Sequence, residues 1–154
     1  MIFPIFRFLR AALATCVLLL SLGLSVGVAP AFAIEKSSAP ETAEVYFIAP
    51  QDGETVEATF AVKFGLSGMG IAPAGIDRQN TGHHHLLVDR VELPDLDAPL
   101  PGGDPSVRHF GGGQTETELA LEPGKHTLQL VLGNYMHIPH DRPVVSEPIS
   151  VTVK

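Results

Sequence analysis

The stretch LEPGKHTLQLVL, from Leu121 to Leu132, decides the fold class. Leu121 is followed by Gly124 after three residues and by His126 after two more. A Leu-x-x-Gly-x-Tyr spacing of this kind marks the corner into the penultimate strand of immunoglobulin-like and fibronectin-like sandwiches, where the Tyr hydrogen-bonds to the backbone upstream. The leucines that follow alternate with other residues, which is the period of a strand with one buried face. The stretch therefore predicts a sandwich corner, with His126 as a structural residue in the Tyr position.

Short β-rich runs divided by turn signals extend from this stretch in both directions. The run at 60–66 is apolar at every second position, which indicates a strand with one buried face. No segment has the period of a helix. The sequence therefore predicts an all-β protein, a single immunoglobulin-like or fibronectin-like antiparallel β-sandwich over residues 45–154. The predicted strands are residues 45–48, 60–66, 83–89, 115–121, 125–132 and 146–153.

The first 33 residues have the layout of a secretory signal peptide. Two arginines precede a long apolar run, and Ala31-Phe32-Ala33 forms a small-x-small cleavage signal. An uncleaved membrane anchor is an alternative, because the apolar run approaches the length of a span. A lipoprotein is a weaker one, since Cys16 lies too early in the run. Cleavage after Ala33 predicts a periplasmic or secreted chain that begins at Ile34, has a flexible leader over 34–44 and has no membrane span.

Processing would also change the composition. Removing Arg7 and Arg10 leaves 8 basic residues against 17 acidic ones, a net charge of −9. Such a surface repels nucleic acid and attracts cations, so a nucleic-acid partner is not expected. The one cysteine, Cys16, leaves with the signal peptide. The mature chain would then have no disulfide, no thiolate metal site and no Cys nucleophile.

Histidines converge at one end of the predicted sandwich. Because antiparallel neighbours alternate in direction, the start of the strand at 83–89 lies at the same end as the loop that follows 125–132. The residues just before 115–121 and just after 60–66, which include Met69, lie there too. His126 belongs to the opposite end, at the corner. The histidines predicted at the shared end are His83, His84, His85, His109, His137 and His140.

These histidines predict a metal site. His83 and His85 share one face of a strand, with Cα atoms about 6.5–7 Å apart. His84 faces the core, and Leu87, on the ligand face, needs cover from the irregular segment 91–113. Neutral imidazole suits copper and zinc, and Met is a soft donor for reduced copper. The candidate ligands of one Cu or Zn ion are His83, His85, His109, His137 and His140.

Two other interpretations stay open. The histidines, with Asn80 and Gln114, would make a buried hydrogen-bonded network that pins the long loops of a structural envelope protein. Alternatively, the same loops form a recognition surface that binds a partner without metal. Asp89 and Asp141 could orient ligand histidines, but a solvated strand end for Asp89 and a turn for Asp141 are the favoured interpretations.

Enzyme motifs are scarce in the chain. It lacks G-x-S-x-G and H-E-x-x-H, and FGGGQT, residues 110–115, has no Lys of a phosphate-binding loop. Metal-dependent catalysis stays open, because hydrolytic zinc uses a site with a free coordination position.

Two long blocks carry a resemblance to a known family. They are FGLSGMGIAPAGIDRQNTGHHHLLVD, residues 64–89, and HFGGGQTETELALEPGKHTLQLVLGNYMHIPHDRPVVSEPISVTV, residues 109–153. The chain resembles the bacterial family of domain of unknown function 4399 over nearly all of Val45 to Val153. The resemblance implies one fold unit in an exported bacterial protein with no established activity. It leaves the function to be argued from the residues.

Overall fold

The computed structural model describes residues 34–154. The predicted signal peptide, residues 1–33, lies outside the described residues. Residues 34–154 contain no helix that is long and apolar enough to cross a membrane. Their strands are β1 (Glu44–Ala49), β2 (Thr55–Val56), β3 (Thr59–Ser67), β4 (Gly70–Ile71), β5 (Thr81–Val88), β6 (Val107–His109), β7 (Glu116–Ala120), β8 (Gly124–Gly133) and β9 (Ile149–Val153).

The strands form two sheets. One has the order β1-β3-β7, and the other has the order β2-β9-β8-β5-β4, with β6 also paired to β5. Antiparallel pairing dominates, while the short strands β2 and β4 pair in parallel with β9 and β5. Of the six longer strands, one sheet thus holds the first, second and fourth, and the other holds the third, fifth and sixth, which is an immunoglobulin-type division. The predicted antiparallel β-sandwich is confirmed.

The main core lies between the sheets. Alternate residues of β3 and β8 point into it, including Val62, Phe64 and Leu130, which are almost fully buried. His84 joins them as the alternation of β5 predicts, and its ring centroid lies 4.6 Å from that of Phe64. The two sides of β5 therefore differ in role: one packs in the core, and the other carries His83 and His85.

A second apolar cluster covers the outer face of the β5–β8 sheet. It contains Leu87, Leu100, Val107 and Val131, all buried. Leu100 and Val107 belong to the segment 91–113, which supplies the cover that Leu87 requires. The sequence predicts this segment as irregular throughout, whereas residues 107–109 form β6 against β5. Three residues are too few for a period of two to be visible in the sequence.

The predicted flexible leader has a definite place in the structure. Ala39 and Ala43 are buried in the main core, and the amide of Ala39 donates to Asp141 Oδ1 at 3.1 Å. The Asp141 amide in turn donates to the Ser37 carbonyl at 3.0 Å. Residues 37–43 pack against the domain, in contrast to the predicted flexible leader. Their small apolar side chains fill the edge of the core, and their backbone bonds to the loop after β8. Asp141 anchors this segment, which fits its interpretation as a turn residue.

The corner is built around His126. Its Nε2 donates to the Glu122 carbonyl at 2.8 Å, and its Nδ1 donates to Asp89 Oδ2 at 2.7 Å. The other oxygen of Asp89 accepts from the Thr127 amide at 2.9 Å. His126 therefore has the predicted corner role. Asp89, directly after β5, thus holds the corner rather than a candidate ligand, which fits its interpretation as a strand-end residue.

Candidate metal site

Sheet register brings the candidate histidines together. The β5–β6 pairing places His85 opposite His109, and the β5–β8 pairing places His83 opposite Gly133. The loop after Gly133 returns His137 to the same face. Residues from two strands and one loop thus meet because each is fixed by its backbone partners.

Three imidazoles form the centre of the group. The Nε2 atoms of His83 and His109 are 3.2 Å apart. One ring nitrogen from each of His83, His109 and His137 lies within 4.8 Å of the other two. Two nitrogens that each bind zinc at about 2.0–2.1 Å in a tetrahedron are about 3.3–3.4 Å apart. The first pair is close to that spacing, and the His137 nitrogen lies within 4.8 Å of both. The three histidines could therefore hold a metal ion.

His85 lies beside this group of three. Its ring stacks on that of His109 with a centroid distance of 5.1 Å, and it lies 6.0 Å from the His137 ring. Its Nδ1 is buried without a hydrogen-bond partner in the protein. The His85 ring is thus close to the three converging ring nitrogens but contributes none of them.

His140 is placed differently from the other predicted ligands. It is fully buried, and its Nε2–H donates to the Thr81 carbonyl at 3.2 Å. It is not part of the group of three nitrogens. Met69, also predicted at this end, packs against the main core. The structure thus brings together four of the five predicted ligands and gives His140 a backbone contact.

Asn134 shapes the loop that presents His137, and the sequence analysis missed it. Its buried Oδ1 accepts from the amides of Met136 and Ile138. His137 has a positive φ of 67°, a conformation uncommon for a residue other than Gly. Its carbonyl accepts from the Leu100 amide at 2.9 Å, which ties the two loops together. An Asn directly after a Gly is a turn signal that would have indicated this role.

Two glycines make room for the rings. A Cβ at Gly111 would lie 2.3 Å from Cε1 of His109, and one at Gly133 would lie 2.8 Å from Cε1 of His85. Neither distance is possible for a real side chain without movement. The absence of a side chain at Gly111 therefore clears the space that the His109 ring occupies.

Burial and neighbouring rings lower the pKa of His83, His85 and His109, which favours their neutral form. Burial is the larger cause and neighbouring imidazoles the smaller one in lowering the pKa of His83 to about 4 and that of His85 to about 3. The pKa of His109 is lowered by burial and by His137. Neutral imidazoles keep a lone pair for a metal ion near pH 7, whereas imidazolium has none.

Access to the group comes from one side. His83 is buried, His137 is half-buried and His109 is exposed. A cavity of about 200 Å³ adjoins the rings, and it is lined by His85, Pro99, Leu100, Pro101, Gly102, His109 and His137.

The comparisons with known proteins place this site within a family. Residues 62–154, which include all the candidate histidines, match the family described as "Domain of unknown function (DUF4399)". No curated protein matches the chain.

Two solved structures show a distant likeness. An endo-β-1,4-mannanase from Thermotoga petrophila is 19% identical over 73% of this chain, with a TM-score of 0.43, and the match spans 20% of the mannanase chain. The fibronectin(III)-like modules of CbhA from Clostridium thermocellum are 15% identical, with a TM-score of 0.34, and the match covers 71% of this chain and 92% of theirs.

Proposed function

Since the chain belongs to the DUF4399 family, which carries no assigned activity, we propose a function from the site itself: the domain binds one copper or zinc ion. His83, His109 and His137 are the ligands, and His85 lies beside them. The observation that carries the proposal is the convergence of three ring nitrogens within 4.8 Å. Imidazole donors suit copper and zinc, which is why these two ions are proposed.

A hydrogen-bonded network is the competing account, and one contact favours it. The 3.2 Å pair between His83 and His109 is also a hydrogen-bond distance. Several other buried nitrogens argue against a satisfied network, because buried polar atoms are rarely left unpaired. The buried ring nitrogens without a partner in the protein are His83 Nδ1, His84 Nδ1, His84 Nε2, His85 Nδ1 and His140 Nδ1. Neutral rings can pair an N–H with a ring nitrogen, so the 3.2 Å pair fits both accounts, whereas the convergence of a third ring nitrogen, from His137, favours a metal ion.

Export is the second part of the proposal. The signal-peptide pattern of residues 1–33 supports cleavage after Ala33 and a periplasmic or secreted location. A chain without cysteine beyond residue 16 suits an oxidising compartment, because it has no thiol to oxidise. The acidic surface would raise the local concentration of cations near the site.

Calorimetric titration of untagged residues 34–154 with Zn²⁺ or Cu²⁺ tests metal binding. We expect one ion per chain with a Kd tighter than about 10 μM, roughly −7 kcal/mol. His83→Ala and His109→Ala should each weaken binding at least tenfold, because each removes one ligand.

His126→Ala is the matched control. It removes an imidazole at the opposite end of the sandwich and should keep the affinity of the unaltered protein. If the unaltered protein binds neither ion more tightly than 10 μM while His83→Ala still lowers the melting temperature, the network account is the better one.

A further inference from the structure

We infer that the metal ion, once bound, takes a small anion as an exchangeable ligand, which reaches it through the cavity bounded by residues 99–102. Hydroxide fills this role in plain water. The inference rests on the proposed metal binding and adds a second ligand-binding position to the same site.

The number of donors leaves room for such a ligand. Three protein nitrogens converge, from His83, His109 and His137. Zinc with three protein ligands keeps its fourth position for water or substrate. His85 has no ring nitrogen in the converging group, and its ring centroid lies 6.0 Å from that of His137.

The charge of the site favours an anion. The converging donors are neutral imidazoles, so a divalent ion would keep its full charge. The two carboxylates that the sequence places nearest are engaged elsewhere: Asp89 binds His126, and Asp141 binds the amides of Ala39 and Arg142. A partly buried charge without a counter-charge is costly. An anion bound to the metal would offset that cost. The same positive charge would lower the pKa of a metal-bound water, because it stabilises hydroxide.

The cavity lies where the ligand must enter. Its wall includes two of the three proposed ligands, His109 and His137, together with His85. Its volume of about 200 Å³ holds an anion of a few atoms, since a water molecule takes about 30 Å³ in the liquid. The opposite wall is held in place because the Leu100 amide bonds to the His137 carbonyl and the Leu100 side chain is buried.

Gly102 offers a way to fill this cavity. It lines the cavity, and a Cβ there would meet no atom within 4 Å. Its backbone is outside the positive-φ region that resists side chains. Gly102→Phe therefore adds bulk at the entrance without a backbone clash.

Azide binding to the Cu²⁺-loaded protein tests the inference. Copper is first titrated to one ion per chain, and azide is then added while the ligand-to-metal charge-transfer band is followed. We expect a saturable band that fits one azide per copper. Gly102→Phe and His85→Phe, each at full copper loading, should weaken azide binding at least tenfold. Val91→Phe is the control, because residue 91 is fully exposed in the same segment and does not line the cavity.

The outcomes separate the two proposals. Failure of both Cu²⁺ and Zn²⁺ to bind overturns the proposed function and this inference together. Full copper loading without an azide band overturns the inference alone. An azide affinity that is the same in the unaltered protein, Gly102→Phe and His85→Phe also overturns it.

Discussion

His126→Phe should destabilise the domain by an amount that depends on pH. His126 contacts two acceptors, the Asp89 carboxylate and the Glu122 carbonyl, at 2.7 and 2.8 Å. An acceptor takes a hydrogen bond only from an N–H, so both ring nitrogens must be protonated for both bonds to form. The corner therefore holds imidazolium, in contrast to the neutral rings near His83. The Asp89 hydrogen bond, followed by that to Glu122, raises the pKa of His126.

The magnitude follows from the two bonds. The bond to the Glu122 carbonyl contributes about 1 kcal/mol. The ion pair with Asp89 is worth about 0.5–1 kcal/mol, because the Asp89 side chain is 48% exposed and the pair is screened. Loss of both should lower the free energy of unfolding by about 1.5–2 kcal/mol at acid pH.

The sign of the pH dependence is fixed by the raised pKa. The stabilisation from His126 is complete below the unfolded-state pKa of about 6.5 and declines as the pH rises through the folded-state value. The difference between the unaltered protein and His126→Phe should therefore be larger at about pH 5.5 than at about pH 9.5. Titration of the other histidines occurs in both proteins and cancels in this difference.

Urea denaturation followed by far-ultraviolet circular dichroism measures the difference, since the chain has no Trp for fluorescence. Asp89→Asn, which keeps the size of the side chain and removes its charge, should show a weaker pH dependence than the unaltered protein. An equal effect of His126→Phe at the two pH values would refute the imidazolium corner.

Three further predictions concern the site, the outer core and processing. Gly111→Val should weaken Zn²⁺ binding at least tenfold in calorimetry, because its Cβ would lie 2.3 Å from the His109 ring; Gly102→Ala, with open space around its Cβ, should bind as the unaltered protein does. Leu100→Ala should lower the free energy of unfolding in urea by about 2–3 kcal/mol, because it removes buried contacts of the second cluster; a loss below about 0.5 kcal/mol would contradict that packing. Mass spectrometry of the exported protein should show a chain that begins at Ile34, whereas a chain that retains Cys16 would contradict cleavage after Ala33.

The main strands were predictable because alternation and corner chemistry are local. The strand predicted at 83–89 is observed at 81–88 and that at 125–132 at 124–133. The last strand begins at Ile149, later than the predicted residue 146, because Pro148 has no N–H for a ladder. The two- and three-residue strands β2, β4 and β6 have no visible period, since backbone pairing alone defines them.

The site was predictable in outline only. The alternating direction of the predicted strands correctly placed the histidines of β5 at the same end of the sandwich as His137. This inference needs only the order of antiparallel strands along the chain. It could not separate His137 from His140, three residues apart in one loop, because loop conformation depends on Asn134 and on contacts distant in sequence. The position of His109 follows from the pairing of β6 with β5, which the composition of residues 91–113 does not reveal.

Anomalous diffraction from crystals of untagged residues 34–154 grown with one equivalent of Zn²⁺ tests the central claim most directly. The account predicts one anomalous peak at the zinc edge, about 2.0–2.1 Å from a ring nitrogen of each of His83, His109 and His137. Absence of a metal peak among these three rings, both in crystals grown with Zn²⁺ and in crystals grown with Cu²⁺, would contradict it.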